Sequence, residues 1–77
     1  MTDSVAVKLD DVATIANDLK NDGNNFLAKH KYALAADKYT LAIDQLPSAI
    51  LYSNRAQALI KLESYGLAIQ DANEAIR

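Results

Sequence analysis

The feature that most constrains this sequence is an internal repeat with an offset of 33 residues. Small residues and a tyrosine recur at that offset: Gly23, Tyr32, Ala35, Tyr39 and Ala42 correspond to Ala56, Tyr65, Ala68, Ala72 and Ala75. A period of this length indicates that each repeat is one supersecondary unit, which buries its apolar face against its neighbours. The 77 residues therefore have room for two such units.

Apolar residues in each unit follow the three-and-four spacing of a helix face, with one interruption in the middle of each unit. The first unit divides at Lys29-His30-Lys31, and Pro47 ends its second helix because proline cannot continue a helix. Ser48 is the predicted N-cap of the next helix, and Glu63-Ser64 divides the second unit. The sequence predicts an all-α fold of two antiparallel helical hairpins, residues 11–48 and 49–77, the second incomplete at its C-terminus. Residues 1–10 are predicted to be an N-terminal tail or the start of the first helix.

The small residues predict close helix packing. We expect Gly23 to face the region of Ala35, and Ala56 that of Ala68, because a larger side chain would hold the helices apart. Glycine costs about 1 kcal/mol of helix propensity relative to alanine, so a packing role accounts for Gly23. Tyr32 and Tyr65 are expected to wedge between the helices of their hairpins. We interpret these aromatic and alanine stripes as core and not as a cofactor site.

Composition excludes several function classes. The 8 basic and 10 acidic residues are interleaved, so no basic field exists for nucleic acid or an anionic membrane. The absence of cysteine removes disulfides and thiolate zinc sites and fits a reducing compartment. No apolar stretch is long enough to span a bilayer, and the start lacks the regions of a signal peptide. We expect a protein of the cytoplasm or nucleus, without bound metal or cofactor.

The repeat resembles a known family. Gly23, Phe26, Tyr32, Ala35, Tyr39, Ala42 and Pro47, and in the second unit Ala56, Tyr65, Ala68 and Ala75, lie at the spacing of the tetratricopeptide (TPR) signature. This resemblance covers about residues 16–77 and implies an alpha-alpha superhelix that binds other proteins. The linker Pro47-Ser48-Ala49 is a residue shorter than in the usual thirty-four-residue repeat, which could shift the start of the third helix.

A narrower resemblance lies in three segments. Lys29-His30-Lys31-Tyr32, Ser53-Asn54-Arg55-Ala56-Gln57-Ala58 and, above all, 61–72 (KLESYGLAIQDA) are similar to the N-terminal TPR domain of the serine/threonine protein phosphatase 5 family. The small glutamine-rich co-chaperone and stress-inducible organising protein families share the Asn-Arg-Ala stretch but less of the Glu-x-Tyr-Gly segment. The resemblance implies a co-chaperone module that is the regulatory region of a hydrolase.

Three polar residues form a candidate binding site. Lys20 and Asn24 lie four residues apart and share one helix face, and Asn54 lies about one repeat further along. An ammonium group and amide N–H groups together suit the terminal carboxylate of a peptide. The family resemblance implies that these residues are part of the carboxylate clamp, which grips the Glu-Glu-Val-Asp tails of heat-shock proteins 90 and 70; its other lysine and arginine belong to a third repeat. Without the resemblance, a surface lysine is better explained by solubility.

Other polar residues carry weaker hypotheses. The phosphatase resemblance implies that Glu63 helps to hold a catalytic domain shut in cis, although a solvated turn residue is at least as good an interpretation. Arg55 is predicted to support packing or a salt bridge, and His30 is a lone histidine and no credible metal ligand. No set of nucleophile, base and oxyanion donors occurs, so we expect no catalysis by this chain.

A competing hypothesis is self-association. Repeats bury their faces against neighbours, so the last helix would leave Ile69 and Ile76 partly exposed unless another chain covers them. Domain swapping between two copies would supply that neighbour and give a homo-oligomer.

Overall fold

The computed structural model describes residues 9–77, which form four α-helices. These are α1 (Leu9–Ala28), α2 (Tyr32–Gln45), α3 (Ala49–Lys61) and α4 (Tyr65–Ala75). Helix α1 packs along α2 and α3 along α4, while α2 also packs on α3 and so joins the two pairs. The predicted all-α fold of two helical hairpins is confirmed. Most of the predicted tail, residues 1–8, lies outside the described residues.

The boundary between the hairpins forms as the sequence predicts. Helix α2 ends at Gln45, and Leu46 before the proline is extended, with φ −157° and ψ 98°. The Oγ of Ser48 then accepts a hydrogen bond of 3.2 Å from the backbone N–H of Leu51. Ser48 is therefore the N-cap of α3, and it satisfies one of the free N–H groups at that helix start.

The turns within the two hairpins have the same backbone geometry. His30 and Glu63, which are one repeat apart, have φ values of 61° and 62°. The next N–H in each turn reaches back to a carbonyl five residues earlier: Lys31 to Phe26, and Ser64 to Leu59, both at 2.8 Å. This is the Schellman arrangement of a helix C-terminus, which usually has glycine at the left-handed position. The repeat thus extends to two non-glycine residues in a conformation that favours glycine.

The core lies between the two hairpins. Its buried members are Ala35, Tyr39, Ala42, Ile43, Leu51 and Ala58, which come from α2 and α3. The predicted close approach at Gly23 is present, but the group that approaches it is the ring of Tyr39, one helical turn beyond Ala35. A Cβ at Gly23 would lie 2.6 Å from Cε1 of Tyr39. An aromatic ring spans more of the gap between helices than a methyl group does, so it determines the contact.

The second hairpin is less covered than the first. Tyr65 is 58% exposed, so the prediction that it wedges between its helices is wrong, whereas Tyr32 is half-buried. The contrast is larger for Ile43, which is 8% exposed beneath α3, and its repeat equivalent Ile76, which is 82% exposed. The physical reason is that α3 covers the first hairpin, and no described helix covers the same face of the second.

Candidate functional site

The structure brings Asn24 and Asn54 into contact. Asn24 lies on α1 and Asn54 on α3, and the Nδ2 of Asn54 donates a hydrogen bond of 3.3 Å to the Oδ1 of Asn24. The same Oδ1 accepts a bond of 2.6 Å from the hydroxyl of Tyr39 on α2. One amide oxygen is therefore held by donors from two neighbouring helices.

This bonding determines what the amide pair offers to a ligand. An asparagine carries its oxygen and nitrogen on the same carbon, and while the oxygen accepts from Tyr39 and Asn54, the Asn24 NH₂ group makes no side-chain hydrogen bond among residues 9–77. Asn24 is exposed and Asn54 is half-buried. The pair therefore presents three N–H hydrogens, two from Asn24 and one from Asn54, and it can donate to an anion.

Lys20 lies one turn before Asn24 on α1 and is half-buried. No ion pair to its ammonium group forms among residues 9–77. It borders a shallow groove of about 150 Å³. The lining of that groove is mostly apolar and includes Ala16, Leu46, Ile50 and Leu51. A positive charge, amide donors and an apolar groove thus lie on adjacent turns of α1 and α3.

Tyr39, which the sequence predicts as a core residue, is also part of the candidate site. Its side chain is 0% exposed, and its ring packs directly on Gly23. Burial raises the pKa of its hydroxyl, so the group stays protonated and can donate. The residue type itself indicates this role: phenylalanine would fill the same space in the core, whereas tyrosine adds a hydroxyl that needs a hydrogen-bond partner when it is buried.

Arg55, next to Asn54, confirms the prediction of a salt bridge. Its Nε and Nη2 donate to the two carboxylate oxygens of Asp71 on α4, at 2.7 and 2.8 Å, and its Nη1 donates to Thr40 on α2 at 2.9 Å. Asp71 is 5% exposed. The hydrogen bond to Asp71 raises the pKa of Arg55, against the lowering effect of burial. Three of the five N–H hydrogens of Arg55 are therefore used inside the protein, and through them Arg55 joins α2, α3 and α4.

The repeat contains a signal for this partner. One offset earlier, the positions of Arg55 and Asp71 are occupied by Asp22 and Lys38, again with opposite charges. Charges of opposite sign at corresponding positions of both hairpins indicate positions that face each other.

Glu63 does not belong to this constellation. It lies in the exposed turn after α3, and Lys61 at the end of α3 is already roughly 10 Å along the helix axis from Asn54. The structure therefore gives two separate surfaces, the site at Lys20, Asn24 and Asn54 and the turn at Glu63.

The described residues carry neither a metal-binding cluster nor a membrane-spanning helix. Residues 9–77 contain no group of three or more His, Asp or Glu side chains arranged to hold a metal ion. None of the helices in that part of the chain combines the length and apolarity needed to cross a membrane.

Two repeated helical hairpins that share one core define an all-α protein of the helical-hairpin repeat class. No family model matches the chain. It is similar to sperm-associated antigen 1 of Mus musculus, with 40% identity over 62 residues, which is 80% of this chain and 7% of that protein. The chain thus spans about 7% of the length of the curated relative that it matches. This similarity supports a TPR-like family and does not extend to the phosphatase 5 resemblance.

Proposed function

We propose that this chain binds the C-terminal carboxylate of an acidic peptide through Lys20, Asn24 and Asn54. The observation that carries the proposal is the Asn24–Asn54 contact, in which both bonds to the Asn24 oxygen leave amide N–H groups facing outward. The family resemblance makes the Glu-Glu-Val-Asp tails of heat-shock proteins 90 and 70 the ligands of choice. In this role the chain is a co-chaperone module of the cytoplasm or nucleus, and binding rather than catalysis is its activity.

The groove beside Lys20 supports a ligand of this kind. Its volume of about 150 Å³ and its largely apolar lining suit one aliphatic side chain, such as the valine that precedes the terminal aspartate. A peptide would then place its carboxylate on the amide pair and its aliphatic side chain in the groove, and both features would contribute to affinity.

The test compares two peptides that differ only at the terminus. The 77-residue chain is titrated by calorimetry with Glu-Glu-Val-Asp as the free acid and as the C-terminal amide. A charge-assisted hydrogen bond contributes about 1.5–3 kcal/mol, so we expect the acid to bind roughly 10- to 100-fold more tightly. Equal affinity for the two peptides would refute carboxylate recognition.

Matched variants assign the effect to residues. Asn24→Ala and Lys20→Ala should each abolish most of the preference for the acid. Asn25→Ala and Lys29→Ala are the controls, because these exposed side chains lie on the same helix or in its following turn without belonging to the site. A control that weakened binding as much as its partner variant would show that general charge or helix stability, and not the site, is responsible.

We propose a second role for Glu63 in a longer parent protein of the phosphatase 5 type. The resemblance motivates it, and the turn geometry supports it: two backbone bonds hold the turn, so that the exposed Glu63 projects from a fixed position. Glu63→Gln should relieve inhibition of a phosphatase catalytic domain joined to this chain, whereas Asp37→Asn on α2 should not. Equal activity of the wild type and Glu63→Gln would count against this role.

A different function, self-association, is favoured by the uncovered face of α4. Tyr65 and Ile69 on α4 and Ile76 directly after it are each more than half exposed, although α3 covers the equivalent face of the first hairpin. In this alternative the chain is a structural helical repeat unit that pairs with a second copy by domain swapping. Ile69→Glu should then shift sedimentation from dimer to monomer, and Leu41→Glu on α2 should not. A wild-type monomer at high concentration would exclude this alternative. A separate alternative is that the chain is the TPR fragment of another co-chaperone.

A further inference from the structure

The hydroxyl of Tyr39 is the part of the candidate site that no ligand would touch. The side chain is 0% exposed, and its ring lies against Gly23, the residue that precedes Asn24 on α1. Only the hydroxyl extends to the site, where it donates 2.6 Å to the Oδ1 of Asn24. Tyr39 can therefore affect the ligand through the position of the Asn24 amide without touching the ligand itself.

The amide of Asn24 has two orientations that fill the same space. A half-turn about its last side-chain bond exchanges oxygen and nitrogen, and it would turn an acceptor, in place of two donors, toward the ligand. Asn54 does not discriminate between the orientations, because its own amide can donate or accept. Tyr39 does discriminate: after the exchange its hydroxyl oxygen could accept from the Asn24 NH₂ group, but its own buried proton would lose its acceptor.

We propose that Tyr39 is a positioning residue that makes the site selective for a carboxylate over a neutral terminus. The proposal rests on the proposed function, since it concerns the same site and the same class of ligand. Tyr39 holds the Asn24 oxygen inward and so keeps the donors outward before the ligand arrives. A site prearranged in this way does not have to order the amide during binding.

The experiment measures selectivity rather than affinity alone. The free-acid and C-terminal-amide peptides are titrated into the wild type and Tyr39→Phe, which keeps the ring and removes the hydroxyl. Loss of a buried hydrogen bond of this kind changes an equilibrium constant about fivefold, so the ratio of the acid-peptide affinity to the amide-peptide affinity should fall about fivefold in Tyr39→Phe. Tyr32→Phe is the matched control, because the Tyr32 hydroxyl makes no side-chain hydrogen bond within the described residues. It should leave the ratio unchanged.

Two further measurements separate positioning from a general loss of structure. In an Asn24→Ala background, Tyr39→Phe should have no additional effect on the ratio, because the group that it positions is gone. In the free protein, NMR relaxation of the Asn24 side-chain amide should show a more mobile NH₂ group in Tyr39→Phe than in the wild type.

The outcomes distinguish this inference from the proposed function. A wild type that binds the acid and the amide equally well refutes carboxylate recognition. A selective wild type whose selectivity and Asn24 mobility are unchanged in Tyr39→Phe overturns the role of Tyr39 and leaves carboxylate recognition intact. A loss of affinity that is equal for both peptides, or that persists without Asn24, likewise overturns it, because a structural effect would account for the result.

Discussion

Replacing Gly23 by alanine adds a methyl group where the ring of Tyr39 leaves no space for one. The new Cβ would lie 2.6 Å from Cε1, 2.8 Å from Cδ1 and 3.0 Å from Cζ of that ring. Carbon atoms normally pack at about 3.5–4.0 Å, so the ring or α1 would have to move by roughly 1 Å. The ring cannot swing into solvent because it is fully buried, and overpacking of this kind costs about 1–3 kcal/mol. Alanine gains back about 1 kcal/mol of helix propensity, so we expect a net loss of up to ~2 kcal/mol.

Gly66 provides the matched control for this substitution. It lies in the first turn of α4, and a Cβ there would meet nothing within 4 Å. Gly66→Ala should therefore stabilise the protein by about 0.5–1 kcal/mol through helix propensity and unfolded-state entropy. Urea unfolding followed by circular dichroism should show that the free energy of unfolding falls in Gly23→Ala and rises in Gly66→Ala. In a thermal experiment, the melting temperature should change by roughly 4–8 °C per kcal/mol. A Gly23→Ala variant that is as stable as Gly66→Ala would refute the packing argument.

Three further predictions concern the turn, the salt bridge and the buried tyrosine. His30→Gly should stabilise the folded protein by about 1 kcal/mol, because His30 has a φ of 61°, which favours glycine. A melting temperature below that of the wild type would contradict this. Asp71→Ala should lower the free energy of unfolding in urea by about 3 kcal/mol, because it leaves the partly buried Arg55 without its bidentate partner. The double variant Arg55→Met/Asp71→Leu should recover most of that loss. Burial raises the pKa of Tyr39 above 10.0, so the folded state keeps this proton after the unfolded state has lost it. Stability should therefore fall as the pH rises above about 10, and urea midpoints measured from about pH 8 to about pH 11 should fall less in Tyr39→Phe.

Features that depend on interactions between residues close together in the chain were predictable from the sequence. Pro47 cannot continue a helix, and Ser48 caps the next one through its own side chain, so the boundary between the hairpins required no knowledge of the fold. The offset between Gly23 and Ala56 likewise indicated two equivalent units. Each of these signals depends on neighbours within a few residues or on a comparison of the chain with itself.

The remaining features depend on which helices pack against each other, and this could not be predicted from the sequence alone. Tyr32 and Tyr65 occupy equivalent positions, but only the first hairpin lies beneath another described helix, and the burial of the two tyrosines differs accordingly. The partner of Arg55 also required the geometry of a hairpin, because Asp71 faces it from the next helix. Lys20 and Asn24 could be placed on one face from their spacing, but the direction of the Asn24 amide could not.

Packing and recognition are coupled at Tyr39. Gly23 gives its ring room, the ring position lets the hydroxyl reach Asn24, and Asn24 in turn accepts a bond from Asn54 on the other hairpin. A shift of roughly 1 Å at the ring, as expected for Gly23→Ala, would stretch the 2.6 Å hydroxyl bond beyond ordinary hydrogen-bond length. That variant should thus lose carboxylate selectivity as well as stability, whereas Gly66→Ala should change only stability. If Gly23→Ala is destabilised but keeps the full preference for the acid peptide, the ring of Tyr39 belongs to the core alone, and packing and recognition are not coupled there.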